Sequence, residues 1–214
     1  RFEYYPSPNE ILSAGIFYKN FINPIETVEI NSGSGKDYTF QNALGATSYG
    51  VEFELRKSLE SFGRNFAFMK NFRNIMLIAN MSLIRSEIKI DTTINYATTS
   101  VRPKQGQSPF IVNGGIFYQS EKLGLTASAL YNIIGKRIIT VGLELPDVYE
   151  MPRHQIDLQI TKNIGKRIQL KFGVQDILNQ YITEQQYVKF EKMGFPEQVR
   201  EQYTLHYKPG SIYN

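Results

Sequence analysis

Alternating apolar and polar residues form the most regular pattern in this chain. Over residues 49–59 the odd positions are apolar except for Lys57, and the even positions are small or polar. Successive side chains of a β-strand point to opposite sides, so this segment predicts a strand with one apolar and one charged face. The same alternation returns over 156–161 and 167–175. A half-buried soluble sheet has the same pattern, so alternation alone does not decide whether the apolar face meets protein or lipid.

Runs of this kind predict an all-β, antiparallel fold with long strands. Soluble strands average about 5–6 residues, whereas membrane-spanning strands need about 9–11. Most predicted runs are longer than about ten residues, which favours strands that cross a membrane. The runs cover 1–5, 11–26, 46–59, 75–90, 109–119, 123–141, 154–163, 168–183 and 203–214.

The connections between these runs alternate in length. Short turns are predicted at 6–9, 120–122 and 164–167, and an intermediate connection at 60–74. Long loops are predicted at 27–45, 91–108, 142–153 and 184–202, and Pro196 predicts a short helix over 197–202 in the last of them. Short turns at one end and long loops at the other are typical of outer-membrane barrels.

The turn around Gly165 allows a prediction of register. Ile160 and Ile168 must share one face, which requires an odd number of loop residues. A three-residue loop with Gly165 or Lys166 in the left-handed region meets this requirement. Asp157 and Lys171 are then expected near each other on the polar face, as a solvated ion pair.

Composition and charge exclude several classes of protein. The chain has 214 residues, no cysteine and a net charge of +4, without a basic run that would indicate a nucleic-acid partner. Nowhere do about 18 apolar residues occur together, so a transmembrane helix is excluded. No basic stretch, apolar core and cleavage site follow Arg1, so we expect the N-terminus to lie in the middle of a longer protein.

Aromatic residues cluster near two predicted turns, as in the interfacial girdles of membrane barrels. They are Phe2, Tyr4 and Tyr5, and Phe62, Phe66, Phe68 and Phe72.

Few residues suggest chemistry. The segment 32–37 ends Gly-Lys-Asp, whereas a phosphate-binding loop needs Ser or Thr after the lysine. His154 and His206 lack partners at metal-ligand spacing. Glu52 and Glu54 share their face with Arg56, which makes a charged wall the simpler interpretation. We therefore predict no catalytic, metal or cofactor-binding residues, no cofactor, and a protein that is not an enzyme.

Several segments resemble the C-terminal barrel of TonB-dependent outer-membrane receptors of the Bacteroidota type. They occur in order along the whole chain: RFEYYP (1–6), IFYK (16–19), NPIE (23–26), YGVEFELRK (49–57), QGQSPFIVN (105–113), YNIIGKRI (131–138), PDVYE (146–150) and DILNQ (176–180).

The resemblance implies a 22-stranded transmembrane barrel with an N-terminal plug domain. It implies location in the Gram-negative outer membrane and TonB-dependent uptake of a scarce or bulky ligand, such as a metal chelate, glycan or peptide. The implied partners are the lipid bilayer, the plug, TonB through a segment absent from this chain, and a surface lipoprotein as a further candidate. We expect residues 1–214 to form about eight or nine strands of such a barrel, with short periplasmic turns and long extracellular loops, and without the plug or the closing strand.

In such a barrel the apolar strand faces meet lipid and the charged faces line the lumen. The residues predicted to face the lumen are Glu52, Glu54, Arg56, Asp157, Gln159 and Lys171. The residues predicted to face lipid are Tyr49, Val51, Phe53, Leu55, Ile156, Leu158, Ile160, Leu170, Phe172 and Val174. Two alternatives stay open. The first is a passive porin or an outer-membrane adhesin, and the second, which the patterns favour less, is a soluble β-sandwich binding module. No ligand-binding residue is predicted.

Overall fold

The computed structural model describes residues 1–31, 35–60, 72–90, 101–143, 145–190 and 198–214. Within these residues the chain forms sixteen strands. They are β1 Phe2–Tyr4, β2 Ile11–Ile22, β3 Ile25–Asn31, β4 Lys36–Asn42, β5 Gly45–Ser58, β6 Ile75–Lys89, β7 Val101–Arg102, β8 Phe110–Ser120, β9 Leu125–Ile134, β10 Arg137–Gly142, β11 Val148–Glu150, β12 His154–Ile164, β13 Ile168–Gln175, β14 Ile182–Phe190, β15 Gln198–Tyr207 and β16 Ile212–Tyr213.

The long alternating segments form one antiparallel sheet, which we call the wall sheet. Its strand order is β1-β2-β5-β6-β8-β9-β12-β13-β16, and β7 pairs with β6. The strands β5 and β6 have 14 and 15 residues, so the prediction of long strands is confirmed. The wall sheet follows a single path from β1 to β16 and is therefore part of a barrel rather than a closed one.

A second sheet, which we call the outer sheet, lies largely within the predicted long loops, although β10 lies in the predicted strand 123–141. Its strand order is β15-β14-β11-β10-β3-β4. Most of its pairs are antiparallel, but β3 and β10 pair in parallel through Val28↔Val141 and Glu29↔Gly142. Because β3 follows β2 and β10 follows β9, this parallel pair joins segments that leave the wall sheet at distant strands.

Three predicted strands are interrupted where the chain passes from one sheet to the other. The predicted strand 11–26 ends at Ile22, because Asn23 has a φ of 48° and Pro24 has no backbone N–H to donate. The strand 168–183 ends at Gln175, where Asp176 and Asn179 have φ values of 51° and 42°. The strand 123–141 is divided between β9 and β10.

The predicted short helix over 197–202 is wrong. Residues from Gln198 onward form β15, which pairs with β14 from Phe190↔Gln198 to Ile182↔Tyr207. Pro196 favours the start of a helix, but the long ladder outweighs this local preference. Pairing with β14 gives hydrogen-bond partners to the backbone N–H and C=O groups of every second residue of β15.

The turn around Gly165 confirms the predicted register. Ile164 pairs with Ile168, so the loop has three residues, and Gly165 has a φ of 63°.

The ion pair predicted between Asp157 and Lys171 is wrong. Lys171 lies opposite Thr161, and the Asp157 carboxylate instead accepts a hydrogen bond of 2.8 Å from the backbone N–H of Asp176.

The two ends of the wall sheet differ as the sequence predicted. Short connections at 121–124 and 165–167 lie at one end, the turn end, together with 5–10 and the longer connection 59–74. The outer sheet lies at the other end, the loop end.

The described residues do not include Phe62, Phe66, Phe68 or residues 32–34. The described residues contain no helix that is long and apolar enough to cross a membrane.

Buried apolar side chains concentrate at the loop end and in the outer sheet. Ala43, Ala46 and Ile88 form one cluster against Phe21 and Ile90. In the described part of the chain the other buried apolar residues are Val28, Ile138, Val141, Val148 and Val174. Only Val174 of this second group belongs to the wall sheet, so the protein core lies mainly beside the wall's end rather than against its faces.

At the turn end, Glu10 joins the start of β2 to the end of β5. Its carboxylate lies 2.9 Å from the Lys57 ammonium and accepts a 3.1 Å hydrogen bond from the backbone N–H of Ser58. The hydrogen bond from Lys57 lowers the pKa of Glu10 below its usual range, against the opposing effect of desolvation.

We predict that Lys57→Met raises the pKa of Glu10 toward the usual value of about 4.3. Because the folded state holds this proton less tightly than the unfolded state, the interaction stabilises the fold above about pH 4.3 and is lost as pH falls through the lowered pKa. A carboxyl-carbon NMR titration of Glu10 in both proteins measures the shift. An equal Glu10 pKa in the two proteins would contradict the assignment.

Candidate functional site

The wall sheet has one continuous apolar face. Side chains of directly paired residues project from the same side of an antiparallel sheet. One row of pairs runs Phe53↔Met81↔Val112↔Ile133↔His154, so the odd positions of β5 share a face with the even positions of β12. Ten residues predicted to face lipid lie on this face: Tyr49, Val51, Phe53, Leu55, Ile156, Leu158, Ile160, Leu170, Phe172 and Val174.

The opposite face carries the predicted lumen residues. A second row of pairs runs Glu54↔Asn80↔Asn113↔Asn132↔Gln155 across five strands. Glu52, Glu54 and Arg56 therefore share one face with Asp157, Gln159 and Lys171. The structure thus places the two predicted sets on opposite sides of the same sheet.

The apolar face is widely exposed in the described residues. Ile16 is 83% exposed, Phe53 45% and Phe172 57%. Soluble monomers rarely expose contiguous apolar patches of such breadth, and large patches mark contacts with lipid or protein. The face ends in charged side chains: Lys57 and Lys162 at the turn end and Arg85 at the loop end.

The polar face contains an amide ladder that sequence reasoning missed. The side-chain amide of Asn132 donates to Asn113 at 2.5 Å, and that of Asn113 donates to Asn80 at 2.6 Å. In the same row Glu54 accepts a 3.0 Å hydrogen bond from Arg1 rather than from Arg56. Each of the three asparagines occupies a position of its strand that alternation assigns to the polar face. This sequence signal could have revealed the row.

A buried ion pair supports the loop end beside the wall. The guanidinium of Arg102 binds both carboxylate oxygens of Glu26, at 2.9 and 2.5 Å, and both side chains are 5–6% exposed. Two carboxylate–guanidinium hydrogen bonds fix the geometry of both groups and compensate their desolvation.

Gln105 links β3 to β10 beside this ion pair. Its side-chain amide donates to the carbonyl of Thr27 at 3.1 Å and to that of Ile139 at 2.7 Å, and it accepts a 2.7 Å hydrogen bond from the Thr27 backbone N–H. Close by, Asp147 accepts a 3.1 Å hydrogen bond from the backbone N–H of Gly142, and burial raises the pKa of Asp147.

Both histidines lie in ring stacks. The His154 ring stacks on Tyr131, whose hydroxyl lies 2.7 Å from His154 Nδ1. His206 lies between Tyr181 and Tyr203, with ring centroids 4.1 and 4.8 Å apart. The part of the chain that the structure describes holds no group of three His, Cys, Asp or Glu residues that could bind a metal.

Residues 2–177 match the family model described as TonB dependent receptor-like, beta-barrel. The chain belongs to this family. The resemblance noted in the sequence is thereby confirmed, while the Bacteroidota type stays a prediction. Members of this family are receptors and transporters of the Gram-negative outer membrane. No curated protein matches the chain.

Solved receptor structures share the fold. The ferric yersiniabactin uptake receptor of Yersinia pestis is 16% identical with a TM-score of 0.57, and the match covers 94% of this chain and 26% of that receptor. A ferric enterobactin receptor mutant of Pseudomonas aeruginosa in complex with enterobactin is 16% identical with a TM-score of 0.53, covering 84% and 25%. The chain therefore spans about a quarter of the length of the solved receptors it matches.

We predict a measurable coupling between the amides of Asn80 and Asn113. A double-mutant cycle with Asn80→Ala and Asn113→Ala should give about 0.2–1 kcal/mol in unfolding free energy, as expected for a cross-strand pair. The same cycle with Asn80→Ala and Asn163→Ala is the control, because Asn163 lies at the far end of β12. Additive effects in the first cycle would show that the hydrogen bond between Asn80 and Asn113 contributes no coupling energy.

Proposed function

We propose that this chain forms part of the barrel wall of an outer-membrane receptor that takes up its ligand with energy from TonB. The single observation that carries the proposal is the wall sheet with one continuous apolar face and one polar face. Backbone groups that face lipid must be paired within the protein, and long antiparallel ladders achieve this. Membership of the receptor family supports the same function.

In this proposal the apolar face, including Tyr49, Phe53, Leu158 and Phe172, meets lipid. Its exposure in the described residues and the charged side chains at its two ends support this orientation. The polar face then lines the lumen, where a plug domain would contact it. The turn end lies in the periplasm and the outer sheet lies outside the cell, as short turns and long loops do in such barrels.

The ligand class to test first is a ferric chelate. Two solved structures that share the fold are a ferric yersiniabactin uptake receptor and a ferric enterobactin receptor. At about 16% identity they support the fold alone, so glycans and peptides stay in the test as further ligand classes. The partners proposed with this function are the plug, TonB and a surface lipoprotein.

We predict that Phe53→Arg destabilises the full-length receptor in lipid by about 2–4 kcal/mol, because it places a charge at mid-membrane depth. Glu52→Arg is the matched control, since it lies next to Phe53 on the opposite face. Glu54 is less suitable as a control because it already binds Arg1. Urea unfolding in lipid vesicles, followed by heat-modifiable gel mobility, measures the difference. Equal losses for Phe53→Arg and Glu52→Arg would show that the faces are assigned wrongly.

We predict that uptake requires TonB. A strain lacking the receptor should lose growth on one of the ferric chelates, glycans or peptides when that compound is its limiting nutrient. A strain that keeps the receptor but lacks TonB should fail on the same compound. A passive porin or adhesin, the alternative function, would leave growth of the TonB-deficient strain unchanged.

A further inference from the structure

The wall sheet has a local gap at the loop end. Strand β6 pairs with β8 up to Leu83↔Phe110 and with β7 from Ile88↔Arg102. Between these pairs, residues 84–87 of β6 face the loop 103–109 instead of a strand. Two hydrogen bonds, from the backbone N–H of Ile84 to Pro109 and from that of Lys104 to the Ser86 hydroxyl, hold this loop beside the strand.

A cavity of about 440 Å³ lies in this gap. The edge of β6 bounds one side, the loop 103–109 another, and the start of β10 with Tyr149 a third. Its apolar lining includes Ile84, Val101 and Ile138. This volume lies in the range of small-molecule sites, which are mainly apolar with a few polar groups that fix orientation.

The lining of the cavity contains more basic than acidic side chains. Each arginine of the lining binds a carboxylate: Arg85 binds Glu87 at 2.9 Å, Arg137 binds Glu150 at 2.7 Å, and Arg102 binds Glu26. These three arginines are therefore largely neutralised by their partners.

Lys136 also lines the cavity but has a different environment. Its ammonium lies 4.2 and 4.3 Å from the ring centres of Tyr149 and Tyr187, and it donates a 3.1 Å hydrogen bond to the Tyr187 hydroxyl. Gln185 donates to the same hydroxyl at 2.9 Å, so the phenol is held in place. Among the described residues the contacts of Lys136 are with aromatic rings and a neutral oxygen, and none is with a carboxylate. The half-buried ammonium thus retains a net positive charge and unused donors beside an apolar cavity.

The rim of the cavity lies just beyond the apolar face of the wall. Arg85 and Glu87 follow Leu83 on that face at successive alternate positions toward the loop end. In the proposed membrane orientation this is the level of the outer-leaflet headgroups. An anion could therefore reach the cavity from the lipid or from the medium.

We propose that this cavity binds an organic anion, with its apolar body against Ile84, Val101 and Ile138 and its anionic group on Lys136. The site lies within the wall at the edge of β6, and its lining takes Arg85 and Glu87 from the apolar face of that strand and Ile84 and Ser86 from the polar face. Its ligand chemistry is an apolar group joined to a carboxylate, sulfonate or phosphate. The inference goes beyond the transport proposal, because binding here does not require uptake.

The test uses the full-length receptor in phosphatidylcholine nanodiscs and naphthoate as the probe, with binding followed by saturation-transfer NMR. Lys136→Met should weaken naphthoate binding by about tenfold or more, the loss expected for one charge-assisted hydrogen bond. Lys166→Met is the matched control, because it removes the same charge from an exposed turn at the opposite end of the wall. Val101→Phe, which narrows the cavity without removing a charge, should also weaken binding.

Neutral naphthylmethanol and a change of lipid complete the experiment. Naphthylmethanol should bind wild type at least about tenfold more weakly than naphthoate. If phosphatidylglycerol in the nanodisc weakens naphthoate binding to wild type, the site takes a lipid headgroup; if it does not, the site takes a free organic anion. The proposal is overturned if Lys136→Met binds naphthoate like wild type, if Lys166→Met weakens it equally, or if naphthylmethanol binds equally well. Failure of TonB-dependent growth would overturn the transport proposal and leave these binding results unaffected.

Discussion

The strict two-residue alternation of side chains in the wall sheet is the constraint on which the rest of this structure depends. Long antiparallel ladders join the neighbouring strands from β2 to β13, and the pairing carries each side chain in these ladders to a fixed face. A slip of one residue in β5 would exchange Phe53 with Glu54 across the sheet. In the membrane setting proposed above, such a slip would place carboxylates in hydrocarbon, at a cost of several kcal/mol. The register is therefore specified along the whole wall.

The outer sheet is held by a different kind of interaction. Its parallel junction between β3 and β10 consists of two residue pairs, which by themselves are a small contact. Gln105 and the ion pair of Glu26 with Arg102 supply buried, directional hydrogen bonds around this junction. Removing one member of such a pair leaves a buried charge uncompensated, so these side chains fix how the outer sheet sits on the wall. The cavity beside β6 exists because this arrangement keeps the loop 103–109 where a strand would otherwise pair.

The sequence predicted much of the wall and little of the outer sheet. The Gly165 turn could be derived with its loop length, because the apolar positions on either side of it must share a face. The shared faces of Phe53 with Phe172 and of Glu54 with Gln159 followed from the same periodicity. The amide ladder from Asn80 to Asn132 was missed, because it joins strands whose mutual register depends on all the turns between them. Asp157 and Lys171 do lie on the same face, as predicted, but they do not form the predicted ion pair. Lys171 lies opposite Thr161, four residues along β12 from Asp157. The helix predicted after Pro196 failed because a local signal competed with a long cross-strand ladder.

The sequence by itself determined most strands of the wall sheet, which of their faces are apolar, and which family the chain resembles. These properties depend on patterns that repeat every two residues or on contiguous motifs, and both can be read locally. Only the tertiary structure decided that β3 lies beside β10, that Gln105 links them, and that Lys136 lies between Tyr149 and Tyr187. Lys136 and Tyr187 are 51 residues apart in sequence, and their contact depends on β10 and β14 lying on either side of β11 in the outer sheet. Such contacts depend on the direction in which the interrupted strands leave the wall sheet. A few backbone conformations, such as those of Asn23 and Asp176, set this direction, and the two-residue periodicity of the strands does not.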